Sequence, residues 1–154
     1  MSPTWHLRLF RTGFGRCEDR KYDQHFMLVS GTTGQLPGKM IDDIRMSLSE
    51  WTTRHNRWAD SEVAELNSAS KAGRLQPDLR GNPAQRKRFL RQKYDKLPLF
   101  IRPFALFAYR YFLRLGFLDG TEGLIFWVLQ TFWFRFLVDA KIWEHRNITL
   151  VAHK

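Results

Sequence analysis

"LPLFIRPFALFAYRYFLRLGFLDGTEGLIFWVLQTFWFRFLVDAKIWE", Leu97 to Glu144, is the stretch on which the architecture turns. It holds two apolar runs joined by the polar connection "LDGTEG". In the first run, Pro103 suits an opening helical turn and Gly116 a helix end. Its only charges are Arg102, Arg110 and Arg114, which with Leu106 recur every four residues and so follow one side of a helix. The second run, Gly123 to Val138, has 16 residues and is interrupted by Gln130 and Arg135. At about 1.5 Å per residue it reaches roughly 24 Å, short of a bilayer core of about 30 Å. A charge at the bilayer centre costs about 2.5–3.5 kcal/mol, which three arginines would multiply. The pattern therefore predicts a helical hairpin lying at, or dipping into, a membrane surface, with arginines reaching phosphates and rings entering the acyl region. A buried hairpin in the core of a soluble protein is the alternative.

The residues just before the hairpin are basic. From Lys71 to Lys96 nine Lys or Arg face only Asp78 and Asp95, within a chain whose formal charge is +10 over 154 residues. Such a balance points to an anionic partner, and a polybasic stretch beside an apolar helix is a mark of anionic lipid binding. Nucleic acid is not favoured as a partner, because the neighbouring runs are long and aliphatic-rich, unlike isolated stacking aromatics in a polar groove. The single cysteine, Cys17, excludes an internal disulfide framework and a cysteine-based zinc site, and fits a reducing cytoplasmic setting. The start "MSPTWHLRLFR" carries no apolar core of signal-peptide length.

Upstream, "SLSEWTTRHNRWADSEVAEL" opens on a capping box, Ser47 with Glu50. Leu48, Trp51, His55, Trp58, Val63 and Leu66 then form an apolar-aromatic stripe, with Arg54, Arg57 and Glu65 opposite. "GRLQPDLRGNP" breaks that helix, and "AQRKRFLRQKYDK" forms another short one. The N-terminal zone reads as strands and turns: "WHLRLF" alternates as a half-buried strand, "HFMLVS" is a second, and "SGTTGQLPG" is a loop. The fold class expected is α+β and mostly helical. Residues 1–43 hold strands and loops, 44–96 the amphipathic helix and basic segment, 97–146 the apolar hairpin, and 147–154 a tail.

Between the two strands lies "GRCEDRKYDQHF", Gly15 to Phe26, with Glu18, Asp19, Asp23 and His25 crowded together. Acids so placed repel unless cations, a metal or chemistry balances them. One reading is a solvated turn in which Arg20 and Lys21 neutralise Asp19 and His25 is a satisfied structural histidine. The other is half of an active site.

The three blocks "LRLFRTGFGRCEDRKYDQHF", "SLSEWTTRHNRWADSEV" and the hairpin, in this order, resemble the C-terminal part of family 2 glycosyltransferases of the bacterial branch that builds lipopolysaccharide core or exopolysaccharide. The similarity spans about Leu7 to Glu144. It implies the C-terminal portion of a GT-A fold, a nucleotide-sugar donor, a divalent metal (Mg or Mn) in the complete enzyme, and an inverting displacement at the anomeric carbon. It implies a lipid-linked or lipopolysaccharide acceptor at the cytoplasmic face of the inner membrane. The family's "ED" pair matches Glu18 and Asp19, making Asp19 the general base toward the acceptor hydroxyl and Glu18 its supporting carboxylate. Arg20, Asp23, Gln24 and His25 would line the same pocket, with His25 a metal or diphosphate contact. Arg57 and Trp58 match part of a "Q-x-x-R-W" acceptor motif, although Arg54 stands where the Gln belongs. Trp58 is then an acceptor platform or a core-facing or interfacial ring, and Arg57 a diphosphate ligand or a partner of Glu62. The sequence has no D-x-D and no βαβ pattern before Leu7. The expectation is therefore a chain that supplies the acceptor side and does not transfer sugar alone. A small basic membrane-binding or assembly protein without catalysis is the competing reading.

Overall fold

The computed structural model describes residues 6–38, 40, 43, 45–68 and 73–151, residues 149–151 without their side chains. Two short antiparallel strands, β1 (Gly15–Cys17) and β2 (Phe26–Leu28), precede helices α1 (Leu48–Leu66), α2 (Pro83–Asp95), α3 (Ile101–Ala108), α4 (Gly120–Trp127) and α5 (Phe134–Val151). The mostly helical α+β class is what the sequence predicts.

The strands pair with Gly15 opposite Leu28, Arg16 opposite Met27 and Cys17 opposite Phe26. "HFMLVS" thus holds a strand, but "WHLRLF" does not: residues 6–10 belong to no strand, and Leu9 is 77% exposed. Residues 1–5 lie outside the described part. The Phe10 ring instead lies across the hairpin, 5.6 Å from Phe26. It fills the space where a Cβ at Gly15 would stand 2.6 Å away, so the alternating segment covers the ribbon and does not extend it.

α1 begins where its capping box says. Ser47 Oγ accepts from the Glu50 amide at 3.2 Å, and Glu50 Oε2 accepts from the Ser47 amide at 2.8 Å. α2 is capped in the same way by Asn82 and Gln85, with Pro83 at its first position. The face α1 buries keeps only part of the expected stripe, His55 and Val63, with Trp51 half-buried. His55, Ala59, Glu62, Val63 and Glu65 are inside, while Leu48, Trp58 and Leu66 are exposed. Glu65, expected on the outer face, is turned in because Arg20 and Arg74 lie 3.5 and 2.9 Å from it.

The apolar core is small. Phe134, Val138 and Ile142 recur every fourth residue along α5 and close on Ala59 and Val63 of α1, with Tyr22, Leu99, Trp133 and Leu137 packed around them. α3 continues as a π-helix, Tyr109–Leu113, and turns back through a 3₁₀ turn, Gly116–Asp119. A Cβ at Gly116 would stand 2.7 Å from Trp127 Nε1 and 2.9 Å from the Arg110 carbonyl, which explains the glycine at this closure. α4 runs through a π-helical segment, Val128–Trp133, directly into α5. Gly116–Ile148 is therefore one helical path long and apolar enough to cross a membrane, unlike the interrupted 16-residue run expected. The helix also continues into the region expected to be a tail.

The arginines of α3 do not share one environment. Arg102 is 2% exposed, its Nε donating to Asp139 Oδ1 at 2.8 Å, and Asp139 also accepts from the Phe100 amide at 2.8 Å. A buried carboxylate on α5 holds it at the base of the hairpin, so it cannot reach a phosphate. Arg110 and Arg114 are exposed.

Candidate functional site

The turn between β1 and β2, Glu18 to His25, is closed by the Glu18 amide donating to the His25 carbonyl at 2.8 Å. Inside it Asp23 adopts φ +56°, a left-handed conformation that Asp tolerates better than most residues. The turn is held by one side chain from α2. Arg88 donates through Nη2 to Glu18 Oε2 at 2.6 Å and through Nη1 to Asp23 Oδ2 at 2.9 Å, and its Nη2 also bonds the Asp23 carbonyl. Its planar fork suits two carboxylates on either side of a loop. Lys87, one residue earlier, places Nζ 2.8 Å from Asp23 Oδ1.

Glu18 is accordingly occupied. Its side chain is 1% exposed, and its other oxygen accepts from the Leu75 amide at 3.0 Å, tying the segment between α1 and α2 to the turn. Asp19, the next residue, is exposed, and among the described residues nothing bonds its carboxylate. The adjacent pair is thus divided: one carboxylate inward and fixed, the other outward and open to a hydroxyl.

His25 is half-buried, with Nδ1 3.0 Å from Arg88 Nη2 and 3.6 Å from Glu18. Burial holds its pKa down, against the pull of Asp23, and Arg88 and Lys87 add to the lowering. The same Nδ1 lies 3.0 Å from the Asp23 carbonyl, so a ring with its proton on Nε2 accepts from Arg88 and a ring with its proton on Nδ1 donates to that carbonyl. For Asp23 burial alone would raise the pKa, yet Lys87 and Arg88 hold it below the usual carboxylate range.

As a metal site the cluster does not fit. Glu18 and Asp23 are each engaged by cationic side chains, a guanidinium lies against the His25 ring, and no group of three His, Cys, Asp or Glu is placed for a metal among the described residues. A divalent ion at His25 would have to displace Arg88.

The remaining candidates divide in two. Arg20 and Gln24 belong to the turn: Arg20 Nε donates to the Tyr22 carbonyl at 3.2 Å, and Gln24 Nε2 donates to the Arg20 carbonyl at 2.5 Å. Trp58 is joined to it through Tyr22, ring centroids 6.5 Å apart, and is 39% exposed, half core ring and half surface. Arg57 is exposed on α1 and pairs with no acid among the described residues, because Glu62 is taken by Arg91 and Arg135. The structure therefore does not bring it to the turn.

Behind the turn the ion pairs continue. Arg91 bridges Glu62 and Asp95, and Asp95 lies 3.5 Å from Arg102 Nη1. A cavity of about 20 Å³ lies among Arg20, Asp23, Glu62, Glu65, Arg88 and Arg91, room for a single water. Sequence reading names none of the α2 arginines as site residues. Their signal was the imbalance of the basic run itself, whose natural partners are the acids of α1 and the turn. Comparison of the chain with family models, with curated proteins and with solved structures returns no match.

Proposed function

We propose that this chain forms the acceptor side of an inverting glycosyltransferase of the family 2 type, working with a nucleotide-sugar-binding half on a lipid-linked or lipopolysaccharide-type acceptor at the cytoplasmic face of a bacterial inner membrane. The observation that carries the proposal is the division of Glu18 and Asp19. Asp19 presents an exposed carboxylate, unbonded among the described residues, from a turn that Arg88 fixes on both sides. In this role Asp19 takes the proton of the acceptor hydroxyl as its oxygen bonds to the anomeric carbon and the nucleotide diphosphate leaves with the bond's electrons. Glu18 never meets substrate and acts as a positioning group through Arg88. Exposed Trp58 next to the turn supplies an apolar ring for a sugar face. A divalent ion would neutralise the leaving diphosphate, and the residues of this turn are not the ones to hold it.

The test combines the chain with a donor-binding half and follows sugar transfer from a panel of nucleotide sugars to isolated envelope lipids. Asp19→Asn should lower turnover about 10²–10⁴-fold, with melting unchanged because the side chain is exposed. Wild-type turnover by that variant would remove Asp19 from the role. No transfer by any combination would favour the second reading, a basic membrane-binding or assembly protein, which the many exposed large apolar residues of the hairpin also suit.

A further inference from the structure

The hairpin carries its groups in the reverse of a solvated helix. Along α3 and its π-helical continuation, Ile101, Phe104, Ala105, Ala108, Tyr109 and Phe112 recur at three- and four-residue spacing, and all are exposed. The same helix buries Arg102 and sets Phe107 and Phe104 against Phe132 of the returning arm, centroids 6.4 and 4.7 Å apart, with Phe104 still 56% exposed on its outer side. No acid occurs between Ile101 and Arg114. Arg102 is neutralised by Asp139, whereas Arg110 and Arg114 remain exposed, Arg110 lying 5.9 Å from the Trp127 ring. An apolar face that soluble proteins would cover, with two cations and no acid on its own helix and its nearest acids at the tip, is complementary to an anionic lipid surface.

We infer that this face of α3 docks in the plane of an anionic phospholipid leaflet, its rings at the acyl boundary and Arg110 and Arg114 at the phosphates. The inference is independent of sugar transfer, since it uses no residue of the turn. Length argues for lying flat: Ile101–Leu113 spans about 20 Å at ~1.5 Å per residue, against a hydrocarbon core of about 30 Å. The returning path is longer, but Phe134, Val138 and Ile142 are already packed on α1 and not available to lipid. Asp119 and Glu122 at the tip are exposed and would resist entering the bilayer. The docking force comes from the α3 face more than from the basic run. Arg74, Lys87, Arg88 and Arg91 of that run are bonded to the chain's own acids.

The experiment is flotation of the full chain with phosphatidylcholine vesicles, with and without phosphatidylglycerol. Wild type should float with the anionic vesicles. Phe104→Ser/Tyr109→Ser/Phe112→Ser should bind at least about a hundredfold more weakly, and Arg110→Gln/Arg114→Gln roughly tenfold to thirtyfold more weakly on anionic vesicles only. Circular dichroism confirms that both variants remain folded. Unchanged flotation of the ring variant, or equal binding to neutral vesicles, would overturn the inference. So would a ring-dependent dimer in solution that does not float, since a second copy would then be the occupant. Spin labels at Phe112→Cys and Glu122→Cys, in a Cys17→Ser background, separate flat docking from crossing. Label 112 should lie at the acyl boundary and label 122 in water, and a lipid-buried or far-side label 122 would overturn the flat arrangement.

Discussion

The base of the molecule and its hairpin hold their charges and their apolar groups in opposite places. At the base, where the turn, α1, α2 and α5 meet, the buried residues include Glu18, Glu62, Glu65, Arg88, Arg102 and Asp139, against an apolar core of five residues. In the outer hairpin, Phe104, Phe112, Leu113, Phe117, Leu118 and Ile125 face solvent. Burying a charge is tolerable only when its partner is fixed beside it, and breaking such a pair leaves an ion without compensation. The base is therefore specific but sensitive to loss of any one partner. The hairpin face, whose rings touch one another but remain largely exposed, is less sensitive to loss of any one side chain.

The sharpest way to break the comparison is Arg88→Ala, which strands Glu18 in the interior and frees Asp23. It should lower unfolding free energy by about 3–5 kcal/mol in urea titration. Adding Glu18→Gln should recover part of that loss, because the orphan charge is removed. Asp139→Asn leaves Arg102 only the more distant Asp95, 3.5 Å away, and should cost about 1.5–3 kcal/mol by the same measurement. Ser47→Ala, which removes the α1 cap without touching either region's contrast, should cost about 1 kcal/mol.

Acid should also act on the base first. The folded pKa values of His25 and His55 lie below the ordinary histidine value, burial being the main cause in each. The unfolded chain therefore takes up protons first, and stability present above about pH 6.5 declines as pH falls toward the folded values. Asp23, held low by Lys87 and Arg88 in spite of burial, contributes stability above about pH 4 that disappears as pH falls through its folded value. Melting scans from pH 7.5 to pH 3 should show both declines, and His55→Asn should shrink the first. The smallest effect belongs to the hairpin face: Ile101→Ser should change stability by no more than about 0.5 kcal/mol, since its side chain is exposed. A loss comparable to that of Arg88→Ala would show that the face is covered by the chain itself.

What the sequence makes legible here is whatever is decided within a few residues. Ser47 with Glu50 starts α1, Gly116 ends the first arm of the hairpin, and "HFMLVS" contains a strand, while α2 starts one residue earlier than read, at Pro83 behind its Asn82 cap. What it hides is set by partners far away in the chain. Glu18 and Arg88 are 70 positions apart, Arg102 and Asp139 are 37 apart, and no periodicity announces either pair. Binary patterning assumes that charge lies outside, so it places Glu65 and Arg102 on the wrong faces. "WHLRLF" alternates convincingly, yet the ribbon it would have joined closes on itself. The Glu18–Asp19 pair is visible as a motif, while the opposite orientation of its two side chains is not.

The wide turn at Val128–Trp133 has a consequence for how the two regions are aimed. Each extra residue accommodated in such a turn advances the helix by about 100° of phase. The segment itself faces both ways: Phe132 packs on Phe104 and Phe107 of the first arm, while Gln130 bonds His55 and Trp133 lies against Trp51 of α1. Val128–Trp133 thus acts as a coupling with a set angle: an insertion or deletion there would swivel the greasy paddle about the base only by taking one of these two sets of side chains out of register. The angle between the hairpin and the base is, on this geometry, fixed by the register of a single turn.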